Sequence, residues 1–304
     1  MASEKAMAVQ KQNYGELIET RFPGLIAKIK RTIEESEKAY EKKPGTEESY
    51  LWEHTTHVTA LSHQLATMEK VDPLIPSVAA LCHDAGKFAG GHYHGEDRVE
   101  EAESARIAEP LLRESGMRSA DVKRVLSGLK ALYHEKAAKN AVADIVHDAD
   151  FLSKFGALGV ANFFVKSALR GRTLRSAVLE HLSKELTYAA CLPLNMRTSA
   201  GRKLAAKKAA DSLEFFRSLL AELRDARIAD LKIRRICIPH PEHKGRPVTV
   251  LFILPPACPE CGGRWNTAWT IEKGIKCRKL CIDSVCRGCG GRLETSFCLP
   301  EIVP

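Results

Sequence analysis

The 304-residue sequence has no long hydrophobic run. Its most apolar stretch, PVTVLFILPPACP at 247–259, falls short of the roughly 18–20 apolar residues that a transmembrane helix needs. Its β-branched content predicts a buried strand instead, and no membrane partner is expected. The opening MASEKAMAVQKQ lacks the apolar core of a signal peptide, so a cytoplasmic location is expected. No Walker-type Gly-rich loop occurs, which argues against ATP-driven work. Internal repeats and low-complexity segments are absent, and strand-like alternation is missing from about the first 227 residues. The composition that remains, 44% hydrophobic and 28% charged, is that of an ordinary soluble globular protein.

What is present is helical periodicity. Between Tyr14 and about Lys43, residues Leu17, Ile18, Phe22, Leu25, Ile26, Ile29 and Ile33 recur at three- and four-residue steps, predicting a helix. KKPGTEES then breaks the chain. Further helices are predicted over 49–69, 75–84, 97–114, 119–135, 139–165, 174–190 and 198–227, with Gly and Pro near most boundaries. After Ile228 the composition shifts to β-branched residues, prolines and cysteines. The expected fold is mainly α, a helical bundle followed by a small β-rich module. The expected divisions are a helical extension at 1–48, a helical domain at 49–227 and a C-terminal module at 228–304. That module holds twelve Lys and Arg against seven Asp and Glu, a net of +5 out of the chain's +8. Such an excess suits an anionic partner or simply solubility.

There are ten cysteines. CPECGGRW (258–265) and CRGCGGRL (286–293) repeat the pattern Cys-x-x-Cys-Gly-Gly-Arg. Two such hooks supply four thiolates, Cys258, Cys261, Cys286 and Cys289, for a structural Zn²⁺ in tetrahedral geometry. The glycines permit the tight turn that brings backbone N–H groups to sulfur. An iron–sulfur cluster and free thiols are the rival readings. The segment resembles a zinc ribbon. Cys277 and Cys281 offer an alternative pair, or a second site with Cys298, and stay unassigned. Cys82, Cys191 and Cys237 lie in apolar surroundings and are expected as packed core thiols. Trp265 and Trp269 stand among Arg264, Lys273, Lys276, Arg278, Lys279, Arg287 and Arg292. That mixture suits nucleic acid or a protein partner, or the tryptophans form the module's own small core.

The helical region carries a second constellation. In YLWEHTTHVTALSHQLA (50–66), His54 shares a helix face with Val58, Leu61 and Leu65. His83 and Asp84 close an apolar helix in ALCHDAGKF, and Asp148 and Asp150 interrupt the apolar ADIVHDADFLSKFGALGV. Buried carboxylates cost free energy unless paired. Imidazoles with carboxylates suit a divalent ion such as Mn²⁺, Fe²⁺, Co²⁺, Ni²⁺ or Zn²⁺.

The order His, then His-Asp, then Asp resembles the HD-domain superfamily of metal-dependent phosphohydrolases. ESARIAEPLL (103–112), ALYHEK (131–136), DADFLSKFGALGVANFF (148–164) and RTSAGRKLAAKKAADSLEFFRSLLAEL (197–223) extend the likeness over roughly residues 50–227. The resemblance implies an HD-type bundle in which His54, His83, Asp84 and Asp150 bind a catalytic ion, Mg²⁺ included. Asp150 follows Ala as the family's aspartate does. Asp148 then either orients a ligand or is a helix-surface acid. Lys87 is read as a phosphate contact or as a solvated lysine past a helix end. His134, His92 and His94 are candidate substrate contacts, and His57 is unassigned. Asp84, Lys87 and His134 are the expected catalytic set. Glu100-Glu101-Ala102 stands where many relatives have a histidine, and this favours a single ion. The implied activity is hydrolysis of a nucleotide-like phosphate ester or anhydride, or another phosphorylated small molecule, through a metal-activated water. The alternatives are a nuclease acting on single-stranded nucleic acid and a non-catalytic, nucleotide-sensing regulator that binds nucleic acid.

Overall fold

The computed structural model describes residues 13–40, 48–91, 100–133, 139–241, 247–273 and 277–300. Among these, ten helices precede five strands. The helices are α1 (Tyr14–Arg21), α2 (Leu25–Tyr40), α3 (Tyr50–Met68), α4 (Leu74–Cys82), α5 (Glu100–Glu114), α6 (Ser119–Ala131), α7 (Ala141–Ser153), α8 (Gly156–Leu169), α9 (Leu174–Asn195) and α10 (Ser199–Asp225). The strands are β1 (Lys232–Pro239), β2 (Pro247–Leu254), β3 (Trp265–Lys273), β4 (Arg278–Cys286) and β5 (Arg292–Cys298). The mainly helical fold with a small cysteine-bearing β region therefore stands as expected. No helix among the described residues is long and apolar enough to cross a membrane.

The chain forms two compact units, Met1–Ser153 with Arg197–Gly201, and Lys154–Met196 with Arg202–Pro304. In the first, the periodic residues Ile18, Leu25, Ile29, Ile33, Val58 and Leu65 are completely buried. Helix α3 packs on α4 and α7, which brings the three histidine- and aspartate-bearing segments together.

Three helix boundaries differ from the periodic reading. The stretch expected as one helix from 14 to 43 divides at Phe22-Pro23-Gly24. Gly24 takes φ +78°, and the Glu19 carboxylate accepts from the N–H groups of Gly24 (2.8 Å) and Ile26 (3.3 Å), capping α2. The expected helix 139–165 divides at Gly156, also at φ +78°, a conformation that an interior helical residue does not adopt. Helix α4 stops at Cys82, so His83 and Asp84 lie in the turn beyond it rather than within it.

In the second unit, β2 pairs with β1, and β3, β4 and β5 form an antiparallel sheet in that order. Val248, Val250, Phe252 and Leu254 pack with Leu280, Ile282 and Phe297. Leu251 and Ile253 pack instead with Val178, Leu182, Leu186 and Phe216. Strand β2 is thus apolar on both faces, which is why 247–254 reads as a continuous run rather than an alternation. The outer edge of β2 is covered by hydrogen bonds from α9. Ile253 N–H donates to Ser183 Oγ (3.1 Å), Leu251 N–H donates to Thr187 Oγ1 (3.0 Å), and Thr187 Oγ1 donates to the Leu251 carbonyl (2.8 Å). Four-residue spacing puts Ser183 and Thr187 on one helix face, where they satisfy the open edge. Thr187→Val keeps the shape but strands both Leu251 groups. It is expected to cost roughly 2–4 kcal/mol, read as a lower urea midpoint with an unchanged slope.

The loose cysteines resolve differently from the expectation. Cys277 and Cys298 form a disulfide and Cys281 is free. Cys82 and Cys191 are buried as expected, but Cys237 is exposed on β1, where its side chain points away from the core. Trp265 packs against the β core while Trp269 is exposed, so only one tryptophan contributes to it.

Candidate metal centre

His54 sits one turn into α3, and the start of that helix is fixed from α2. The buried Glu37 carboxylate accepts from Leu51 N–H (3.1 Å) and from the Ser49 hydroxyl, while Ser49 Oγ caps Trp52 N–H. A carboxylate at a helix N-terminus is favoured by the helix dipole. Glu37 continues the Leu25, Ile29, Ile33 stripe at the next four-residue step, and that misplaced acid was the available signal of its role. His83 and Asp84 are held by the turn after α4. Ser104 Oγ donates to the His83 carbonyl (2.7 Å) and accepts from Gly86 N–H (2.9 Å). A Cβ at Gly86 would lie 2.5 Å from Ser104 N, so only glycine lets α5 approach. This gives a physical reason for the glycine of ALCHDAGKF and the serine of ESARIAEPLL.

Ligand atoms of His54, His83 and Asp150 all lie within 4.8 Å of one another. His54 Nε2 is 3.2 Å from Asp150 Oδ1 and 3.6 Å from Asp84 Oδ2, and His83 Nε2 is 3.6 Å from Asp84 Oδ1. Asp84 therefore borders both imidazoles. His83 Nδ1 lies 2.6 Å from the Ala80 carbonyl, which can only accept. The proton is thereby placed on Nδ1, leaving a lone pair on Nε2. That Nε2 is buried without a hydrogen-bond partner. A buried lone pair aimed at two carboxylates and a second imidazole is a misfit unless a cation completes it.

The electrostatics point the same way. Burial lowers the His54 pKa against the opposing pull of Asp150 and Asp84, favouring the neutral ring that binds metals. Burial works to raise the Asp84 pKa, but the positive charge beside it outweighs burial, and with Lys87 Nζ at 2.8 Å the group stays ionised. Lys87 Nζ is 2.8 Å from Asp84 Oδ2 and 3.9 Å from Glu100 Oε1, so it is neither fully solvated nor distant from the site. Burial acts to lower its pKa, and Asp84 and Glu100 reverse that and raise it. Burial and the Asp84 charge push Glu100 up to about 8. Tyr133 donates to Asp150 Oδ2 at 2.6 Å, and burial followed by the Asp150 charge raises its pKa well above the usual phenol range. Neither Glu100 nor Tyr133 was singled out from sequence as a site residue. His92, His94 and His134 lie outside the described residues.

A model of the HD domain matches residues 51–231, more than half of the chain. The chain belongs to the HD-domain family. Membership implies divalent-metal binding, and the donor set just described fits it. No curated protein matches this HD-domain chain. It is similar to Bacillus subtilis YpgQ in complex with ADP (20% identity, TM-score 0.47), over 65% of this chain and 94% of that one. It is also similar to a predicted HD superfamily hydrolase from an uncultured Thermotogales bacterium (22%, 0.46; 69% and 99%) and to an HD-superfamily hydrolase from Bacillus thuringiensis (22%, 0.46; 65% and 97%).

Asp148 is not a surface acid in this HD-domain protein. It is completely buried and accepts from Arg197 N–H (2.9 Å), Thr198 N–H (2.8 Å) and the Thr198 hydroxyl (2.7 Å), with His147 Nδ1 at 3.0 Å. Its carboxylate thus anchors the 197–201 segment, and a Cβ at Gly201 would lie 2.1 Å from Asp148 Oδ2. Asp148→Asn turns an acceptor into a donor facing donors. It is expected to lower stability by roughly 3–5 kcal/mol, measured by thermal and urea unfolding.

The second centre is built from the cysteine knuckles. Sγ atoms of Cys258 and Cys289 are 3.6 Å apart, those of Cys261 and Cys286 3.4 Å, and all four lie within 4.8 Å of one another. Zinc–sulfur bonds of about 2.3 Å place tetrahedral sulfurs roughly 3.8 Å apart, and the two measured pairs lie within a few tenths of an ångström of that spacing. Each knuckle repeats one backbone pattern. Cys258 N–H donates to the Gly263 carbonyl (2.9 Å) and Gly262 N–H to the Cys258 carbonyl (2.8 Å). Cys286 with Gly291 (2.8 Å) and Gly290 with Cys286 (3.0 Å) do the same. Gly262 and Gly290 take φ +71° and +75°. N–H groups of Cys289 and Gly288 pull the Cys286 thiol down to about 6, toward the thiolate that metals bind.

Proposed function

We propose that this HD-domain protein is a phosphohydrolase whose substrate is a nucleotide-like phosphate ester or anhydride. The observation that carries the reading is the buried convergence of His54, His83 and Asp150, bordered by Asp84, with the His83 Nε2 lone pair turned inward. His54, His83, Asp84 and Asp150 would hold the divalent ion. When bound, that ion supplies an activated water and a counter-charge for a phosphoryl oxygen.

The chain's own residues set the conditions for that chemistry. The Ala80 carbonyl holds His83 in the tautomer that presents Nε2. Lys87 neutralises part of the carboxylate charge, with about a quarter of its side chain exposed, and is suited to meet an incoming phosphate as a fixed cation. His92, His94 and His134 remain proposed substrate contacts. Residues 49–227 are proposed as the catalytic domain and 228–304 as a ribbon that holds a structural zinc.

The nucleic-acid alternatives draw less support. In the ribbon, Arg292 pairs with Asp283 (2.7 Å) and Glu294 (3.1 Å) rather than standing free. The test is hydrolysis of a nucleotide panel, with single-stranded DNA alongside, in Mn²⁺, Mg²⁺ or Ni²⁺. Phosphate release from a nucleotide supports the reading. Cleavage of DNA alone would replace it with the nuclease.

A further inference from the structure

We propose that Tyr133 is a positioning residue for the metal centre, holding one oxygen of Asp150 so that the other faces the histidines. The inference rests on the metal-binding reading above and adds a residue to it. Asp150 Oδ2 takes the Tyr133 hydroxyl at 2.6 Å, while Oδ1 lies 3.2 Å from His54 Nε2. The two carboxylate oxygens are thus divided between an orienting partner and the donor cluster. A carboxylate held in this way has lost the freedom to swing, and such outer partners typically change metal affinity by about 10- to 100-fold.

The phenol is itself held in place. Its ring meets Phe151 edge-on (centroids 6.5 Å apart) and tilts against His147 (6.1 Å). Residues 147, 150 and 151 lie on one face of α7, so Tyr133 grips the face that carries Asp150. The carbonyl of the preceding Leu132 accepts from the Arg197 guanidinium at 3.0 Å, and Leu132 is almost fully buried. The hydroxyl is therefore presented by a clamped backbone and a packed ring, not by a mobile side chain.

The test is Mn²⁺ titration of wild type, Tyr133→Phe and His83→Ala, each brought to a single zinc per chain so that only the thiolate site is filled, followed by calorimetry and electron paramagnetic resonance, with melting of each protein before Mn²⁺ is added. Mn²⁺ suits imidazole and carboxylate and competes poorly for four thiolates. Phenylalanine keeps the ring packing and removes only the hydroxyl. Tyr133→Phe is expected to bind Mn²⁺ about 10- to 100-fold more weakly and to show an altered Mn²⁺ spectrum, with a fall in melting temperature that reports only the lost hydrogen bond. Unchanged affinity and spectrum would overturn the inference, whether or not the melting temperature falls, because a purely structural role moves melting alone. If His83→Ala binds Mn²⁺ as wild type does, the metal-centre reading itself fails and Tyr133 falls with it.

Discussion

Alanine at both His83 and Asp84 is expected to leave the protein with one metal ion fewer and without hydrolase activity. His83 supplies the buried Nε2 lone pair, and Asp84 the carboxylate that borders both imidazoles. Their removal leaves His54 and Asp150 as the remaining proposed ligands, too few for a stable site. The fall in turnover is expected to exceed about 1,000-fold, since losing a single preorganised charge-stabilising group already costs roughly 100- to 1,000-fold. The fold should survive. Ser104 binds the His83 backbone carbonyl and the Gly86 N–H, not the altered side chains. Elemental analysis of the purified proteins, with phosphate release from a nucleotide panel, checks this. Two ions per chain are expected in wild type, and a single zinc in the double variant. Activity that persists in the variant would belong to a different site or to a contaminant.

The second large effect is expected at the cysteines. Cys286→Ser removes a buried sulfur that lies 3.4 Å from Cys261 and accepts from Gly288 N–H at 3.3 Å. Zinc contributes roughly 10–16 kcal/mol to the folding of isolated zinc-finger peptides. Here β3, β4 and β5 also share an apolar core with β2, so part of the module's order has a second source. The loss is accordingly expected at several kcal/mol rather than the full amount. It should appear as zinc-free protein with rapid proteolysis between residues 255 and 300. Mn²⁺ binding at His54, His83 and Asp150 should be unchanged. A Cys286→Ser protein that keeps its zinc and resists protease would show that these four sulfurs are not the ligand set.

Legibility followed the distance over which each feature is determined. The two knuckles could be read from sequence because Cys-x-x-Cys-Gly-Gly-Arg specifies its own turn. Its glycines sit at positive φ and its backbone hydrogen bonds close within six residues. The buried strand 247–254 was legible from its continuous apolar run, although the partners on its two faces were not. His54 could be placed on the inward face of its helix by counting. That His83 and Asp84 lie just past the helix rather than inside it could not, since the turn depends on Ser104 in another helix.

The residues missed from sequence share one property. Tyr133, Glu100 and Glu37 act through partners on other elements, and of the three only Glu37 carries a local mark, as an acid in an apolar stripe. Asp148 reads from sequence as either an orienting acid or a surface acid, because its partners at 197 and 198 arrive from a distant turn. The Cys277–Cys298 disulfide is of the same kind. Its sulfurs meet because β4 and β5 pair with Lys279 opposite Cys298.

By itself the sequence determined the helical registers, the apolar stripes and the turn of each cysteine knuckle, because each is set by spacings within a few residues. Only the tertiary structure decided which donors meet at one point, which carboxylate anchors backbone instead, and which hydroxyl orients the one that remains. Those outcomes depend on contacts between segments far apart in the chain, where no local periodicity constrains the partner.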